Sequence, residues 1–162
     1  MDTRQTEAAL PKIDIDGAEV RRGTNYPPPY DAPCADRIRQ RLALAADLTQ
    51  FGVNRLTLKP GVWSSQRHWH SHEEEFVFVV SGEVVLVTDA GEQVLRAGDC
   101  AGFKAGVADG HHLVNRSDSD AVLLEIGTNS EDDLCTYPDI DLLAVPDRGY
   151  VHRDGTPYPP KG

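Results

Sequence analysis

Apolar and polar residues alternate in short runs through the middle of the chain, and turn-forming residues interrupt them every several positions. Side chains i and i+2 of a strand share a face, so this rhythm predicts strands rather than helices. Phe51 to Leu58 is one candidate, ended by Lys59-Pro60-Gly61. Its facing is open, because Phe51 and Val53 fall on one parity and Leu56 and Leu58 on the other. Phe76 to Val80 is an apolar run closed by a Ser81-Gly82-Glu83 turn. Glu83 to Thr88 and Glu92 to Arg96 make a hairpin about Asp89-Ala90-Gly91. Ala97-Gly98-Asp99 turns into a short strand, Cys100 to Phe103. Gly106 to Gly110 is a loop leading into His111, and Arg116-Ser117-Asp118 turns into a last strong strand, Ala121 to Ile126. Short strands separated by frequent turns predict an all-β barrel or sandwich.

The ends read differently. Ile13 and Ile15 alternate and predict a short edge strand. Tyr26-Pro27-Pro28-Pro29-Tyr30 reads as extended, polyproline-like chain wrapping along the barrel. Residues 35 to 47 are rich in Ala, Leu and Arg, which favour helix. Yet Ile38, Leu42 and Leu44 share one strand parity and Arg37, Arg39 and Arg41 the other, so the reading is a strand from Arg37 to Leu44 followed by a short turn or helix. The organisation expected is an N-terminal extension over residues 1–35, a barrel domain over 36–128 and a polar but ordered tail over 129–162. His152 and Asp154 in that tail read as a surface turn rather than a catalytic pair.

On the Phe76 to Val80 run, Val77 and Val79 share the face of Glu75, and Phe76, Phe78 and Val80 share the other. Both faces are apolar, so both must be covered: one by the barrel interior, the other by the N-terminal extension or a second subunit.

Composition narrows the function. A net charge of −10 argues against a nucleic-acid or anionic-membrane partner, since both need a basic surface. Cys34, Cys100 and Cys135 are odd in number and widely spaced, which predicts reduced thiols rather than a disulfide framework or a zinc-type pair. The first residues lack a basic-then-apolar signal pattern, and the default expectation is a cytoplasmic protein.

The chemistry concentrates in Gly61 to Gly82. His68, His70 and His72 alternate there and run into Glu73, Glu74 and Glu75. His68 and His70 project together and can bind one ion, which a carboxylate would complete as a mixed nitrogen–oxygen set. A second cluster lies at Gly110-His111-His112. Five of the six histidines fall in these two clusters, a division scattered surface residues would not produce. Strand parity puts Glu74, not Glu75, on the face of His68 and His70.

These stretches resemble the two motifs of the cupin superfamily. Gly61, His68, His70, Glu75 and Gly82 fit the first, with six residues rather than five between Gly61 and His68. Gly98, Gly106, His111 and Asn115 fit the second, with Lys104 at the usual proline and four residues rather than two between Gly106 and His111. The resemblance implies an all-β fold, a double-stranded β-helix (jelly-roll-like) barrel, holding one divalent transition metal per chain: Fe, Mn, Ni or Zn. It implies His68, His70, Glu75 and His111 as metal ligands. Selecting Glu75 requires a bend or bulge after His70. His72 and His112 then lie beside the site or on the surface. It also implies a homodimer.

Four protein ligands on an octahedral ion leave two positions open, which suits catalysis. The expected function is a metal-dependent enzyme on a small molecule, either a dioxygenase or an isomerase or lyase. The alternative is a non-catalytic metal- or ligand-binding protein. Gln66 and Arg55 are candidates to support a ligand or touch substrate.

Overall fold

The computed structural model describes residues 11 to 160. Their strands are β1 (Val20–Arg22), β2 (Ile38–Arg41), β3 (Phe51–Leu58), β4 (Trp69–His70), β5 (Glu75–Ser81), β6 (Glu83–Thr88) and β7 (Gly91–Arg96). They continue with β8 (Cys100–Phe103), β9 (His112–Val114), β10 (Ala121–Thr128), β11 (Cys135–Tyr137), β12 (Leu142–Val145) and β13 (Gly149–Val151). Single 3-10 turns at Ala32–Cys34 and Leu44–Ala46 are the helical segments among the described residues. None of the described helices is long and apolar enough to cross a membrane.

Three antiparallel sheets enclose the core. One runs β1-β2-β3-β10-β5-β8, a second β7-β6-β9 and a third β13-β12-β11-β4. Bridges of Trp63 to Val114 and His68 to His111 tie the chain before β4 to the β9 segment, linking the second and third sheets. Leu56, Leu58, Val77, Val79 and Leu123 of the first sheet pack against Val84, Leu86, Leu95 and Leu113 of the second. Burying such side chains is worth about 1.5–3 kcal/mol each. The facing of β3 is thereby settled: Leu56 and Leu58 point inward.

Gly82 joins β5 to β6 at φ 79°, in the left-handed region that glycine adopts freely. A Cβ there would meet the Asp120 carbonyl oxygen at 2.7 Å and Ala121 Cα at 2.8 Å. The turn from β5 to β6 and the start of β10 are therefore in backbone contact.

A second apolar cluster lies outside the barrel. Tyr26 and Cys34 of the N-terminal extension pack with Cys135, Tyr137 and Leu142 of the tail. The Tyr26 ring meets Tyr137 edge-on at 5.5 Å. Arg67 fastens the tail further, pairing with both carboxylate oxygens of Asp139 at 2.7 Å and with Asp89.

Several expectations are corrected. Ile13 to Ile15 is no strand; the Ile15 carbonyl accepts the Ala18 N–H in a turn, and the first strand is β1. Tyr26 to Tyr30 is not extended throughout. Pro28–Pro29 is cis, and the Tyr30 N–H donates to the Pro27 carbonyl at 2.9 Å, so the chain turns and Tyr26 enters the tail cluster. The strand expected from Arg37 to Leu44 is shorter, because Leu42 and Ala43 both donate to the Val53 carbonyl and the ladder ends. Among the described residues, the extension does not cover the outer face of β5, where Phe76 and Phe78 are 40% and 37% exposed.

Candidate metal centre

Two sheets meet at the site. His68 and His70 come from the third-sheet side, where β4 pairs with β11 through His70 opposite Cys135. Glu75 opens β5 in the first sheet, opposite Gly127 of β10 and Phe103 of β8. Between His70 and Glu75 the chain leaves one sheet and enters the other, so parity does not carry across. Glu75 consequently faces the histidines, while Glu74 is exposed. His111 enters through its bridge to His68.

The four side chains converge on one point. Glu75 Oε2 lies 2.8 Å from His111 Nε2, 3.4 Å from His68 Nε2 and 3.4 Å from His70 Nε2. Burial pushes the Glu75 carboxyl upward, but hydrogen bonds from His111 and His68 outweigh it and hold it well below the ordinary range. For His68, burial disfavours the charged ring, and the Glu75 carboxylate more than restores it. For His111, burial prevails and lowers the value.

The outer nitrogens show how the rings are oriented. His68 Nδ1 donates to the Gln66 carbonyl at 2.9 Å, and His70 Nδ1 donates to Asp133 Oδ2 at 2.6 Å. Both partners are acceptors, so Nδ1 carries a proton in each ring, and Nε2 is the nitrogen turned to the cluster, where a metal would take the place of its proton. His111 is fixed differently: its Nδ1 is buried with no partner, and Phe103 stacks on the ring at 3.5 Å. The donor set and the tautomers of His68 and His70 fit a divalent transition metal.

Asp133 has no counterpart in the motif reading. Its Oδ1 accepts the N–H groups of His72 at 2.8 Å and Glu73 at 3.2 Å, closing the turn between β4 and β5. Burial raises its carboxyl, and the bonds from His70 and this turn overcome that and lower it. Asp133 ends an acidic run, Glu131-Asp132-Asp133, which reads as solvated tail; only the β4–β11 pairing brings it to His70.

The other candidates separate clearly. Gln66 supports His68 through its backbone carbonyl, while its side chain donates to the Tyr30 carbonyl at 2.7 Å. Arg55 stands exposed and donates to Gln40, away from the cluster. His112 is buried against Trp63 and donates from Nδ1 to the Ser65 carbonyl at 3.0 Å. His72 is exposed and meets the Ser71 hydroxyl at 2.8 Å. His152 pairs with Asp141 at 2.7 Å rather than with Asp154, which accepts the Thr156 N–H.

Cavities open on several sides of the cluster. One is lined by Ser65, His68, Glu73, Glu75 and His111. A second holds Trp69, His70, Glu73, Glu75, Lys104 and His111. Glu73 lines both. Burial raises its carboxyl above the ordinary range, against the Ser130 N–H it accepts at 2.9 Å.

Residues 54–127 match the Cupin domain family. A solved cupin-superfamily sugar phosphate isomerase from Silicibacter pomeroyi is 41% identical, with 92% of this chain and 97% of that chain covered at a TM-score of 0.87. The chain is a cupin. A second cupin-barrel structure, from Acidithiobacillus ferrooxidans and provisionally named a sugar phosphate isomerase, is 27% identical. It covers 78% of this chain and 83% of its own at a TM-score of 0.69. A provisionally named oxalate decarboxylase from Thermotoga maritima shares the cupin fold at 19% identity and a TM-score of 0.60, over 74% and 99% of the two chains. No curated protein matches. The all-β double-stranded β-helix expected from the two motifs is the fold observed.

Proposed function

We propose that this cupin is a metal-dependent isomerase that interconverts the aldose and ketose forms of a small phosphorylated sugar. His68, His70, Glu75 and His111 hold one divalent transition metal. The observation that carries the reading is the convergence of three imidazole Nε2 atoms on one carboxylate oxygen beside open cavities. The likeness to the S. pomeroyi sugar phosphate isomerase across nearly the whole of both chains supports the substrate class. A dioxygenase would use the same ligands, but the likeness to the S. pomeroyi protein favours the isomerase.

When bound, the metal supplies Lewis-acid polarisation of the sugar carbonyl. Isomerisation then needs a base that takes the proton from the carbon beside the carbonyl and returns it to the former carbonyl carbon, while the proton of that neighbouring carbon's hydroxyl passes to the former carbonyl oxygen. Glu73 is placed for this: it lines both cavities at the cluster, and burial keeps its carboxyl raised. Phe76, Phe78 and Val80, all exposed on the outer face of β5, support a homodimer through that face. The three free cysteines support a cytoplasmic setting.

The test is a panel of five- and six-carbon aldose phosphates followed by proton NMR in D2O, with the protein stripped by chelator and then reloaded. The expected result is ketose formation with deuterium incorporated at the transferred position, lost on stripping and restored on reloading. Glu73→Gln should keep the metal and lose about 10²–10⁴ in kcat. A reloaded protein that converts no aldose phosphate would leave the non-catalytic binding reading in its place.

A further inference from the structure

The cavity running from His68, His70 and Glu75 toward the N-terminal hairpin has a volume of ≈ 600 Å³ and is also lined by Arg21, Arg22, Arg37 and Arg39. That is four of the 16 Lys and Arg on a chain carrying 26 Asp and Glu. Chance placement on so acidic a chain does not put four cations around one cavity whose lining carboxylates are Glu75 and Glu125.

The local arrangement breaks a rule of sheet pairing. Arg21 of β1 sits directly opposite Arg39 of β2. Like charges facing each other across a ladder destabilise it. The cost is only partly offset: Glu19 accepts from Arg21 at 2.7 Å in solvent, and Glu125 takes Nε and Nη2 of Arg39 at 2.8 and 2.9 Å. Arg37 lies two residues before Arg39 on the same parity and is 8% exposed. Its Nε donates to the Gly23 carbonyl at 3.1 Å and its Nη1 to the Ser64 carbonyl. Among the described residues its partners are carbonyls alone. A buried guanidinium held by carbonyls alone calls for an anion. Locally unfavourable choices of this kind concentrate at functional sites.

We infer that Arg21, Arg37 and Arg39 take the phosphate group of the substrate, with the sugar spanning the cavity to the metal cluster. The inference rests on the isomerase reading for the identity of the sugar, but the anion site stands on its own geometry. Three guanidinium forks suit a dianion spread over three oxygens; a carboxylate answers one fork. The volume is of the size that small-ligand pockets have.

The probe is inorganic phosphate, titrated calorimetrically into the full chain with the metal chelated, so that phosphate cannot bind to the ion. One phosphate per chain is expected. Arg21→Gln, at an exposed position, should weaken it about tenfold, the loss of one charge-assisted hydrogen bond. Arg37→Lys keeps the charge but loses the fork, and should weaken it similarly while circular dichroism confirms the fold. With the reloaded enzyme, Arg21→Gln should raise KM for the aldose phosphate about tenfold and leave kcat within about twofold. Equal phosphate binding by the wild type and both variants, or tighter binding of a sugar carboxylate than of phosphate, would overturn the inference. The two readings fail separately. Phosphate held by the arginines without aldose–ketose conversion sinks the isomerase and keeps the anion site. Conversion with equal kcat/KM for the sugar and its phosphate keeps the isomerase and sinks the anion site.

Discussion

At the scale of single residues, the centre depends on what holds each imidazole from behind. Asp133 is the strongest such support, because it binds His70 Nδ1 at 2.6 Å and two backbone N–H groups at once. Asp133→Asn should weaken metal binding about 10–100-fold with the fold intact, measured by competition with a chromogenic chelator. The same residue has a pH signature. Its carboxyl lies below the ordinary 3.8 in the folded chain, so its contribution is complete above that value and is lost as pH falls through the depressed one. The melting temperatures of the wild type and Asp133→Asn should therefore converge as pH drops below 3.8. Most of this residue-level picture was legible beforehand. His68, His70 and His111 could be read because their alternation and spacing are local. Asp133 could not, because its role depends on β11 pairing with β4 across more than sixty intervening positions.

At the scale of elements, the choice between Glu74 and Glu75 shows where periodicity stops working. Strand parity holds only while a chain stays in one sheet, and β4 and β5 belong to different sheets. The spacing to Gly82 selects Glu75, the glutamate that lies against the three histidines, and Gly82 is itself pinned, at φ 79° and against the backbone of Asp120 and Ala121. Gly82→Ala should accordingly cost about 2 kcal/mol or more, lowering the melting temperature by at least about 4 °C. An unchanged melting temperature would mean that the turn between β5 and β6 tolerates a Cβ there. The hairpin of β6 and β7 and the strands β3, β8 and β10 were legible from alternation and turn residues. The N-terminal segments were not: the Tyr26 ring is buried by Tyr137, a partner more than a hundred residues away. The arginine parity of β2 was visible as a pattern, but only the fold shows that it borders the cavity beside the cluster.

At the scale of the whole molecule, the extension and the tail close around the barrel from opposite ends of the chain and meet at Tyr26, Cys34, Tyr137 and Leu142. They also build the site, since β1 brings Arg21 to the cavity and the tail brings Asp133 to His70. Among the described residues one face stays open. Phe76 and Phe78 of β5 lie opposite Ile126 and Leu124 of β10, and Ile126 lies opposite Val53 of β3, giving an apolar band across three strands. Exposed bands of this kind mark association surfaces. Sedimentation should show a dimer for the wild type and a monomer for Phe78→Arg; a monomeric wild type would contradict the homodimer.

The isomerase reading of this cupin depends on a metal being held by His68, His70, Glu75 and His111. Elemental analysis of untagged protein, prepared without chelator, beside His70→Ala prepared identically tests that most directly. The account predicts about one equivalent of Fe, Mn, Ni or Zn per wild-type chain and a small fraction of that in the variant. Full occupancy in His70→Ala, or a wild type that takes up no metal even on reconstitution, would contradict it.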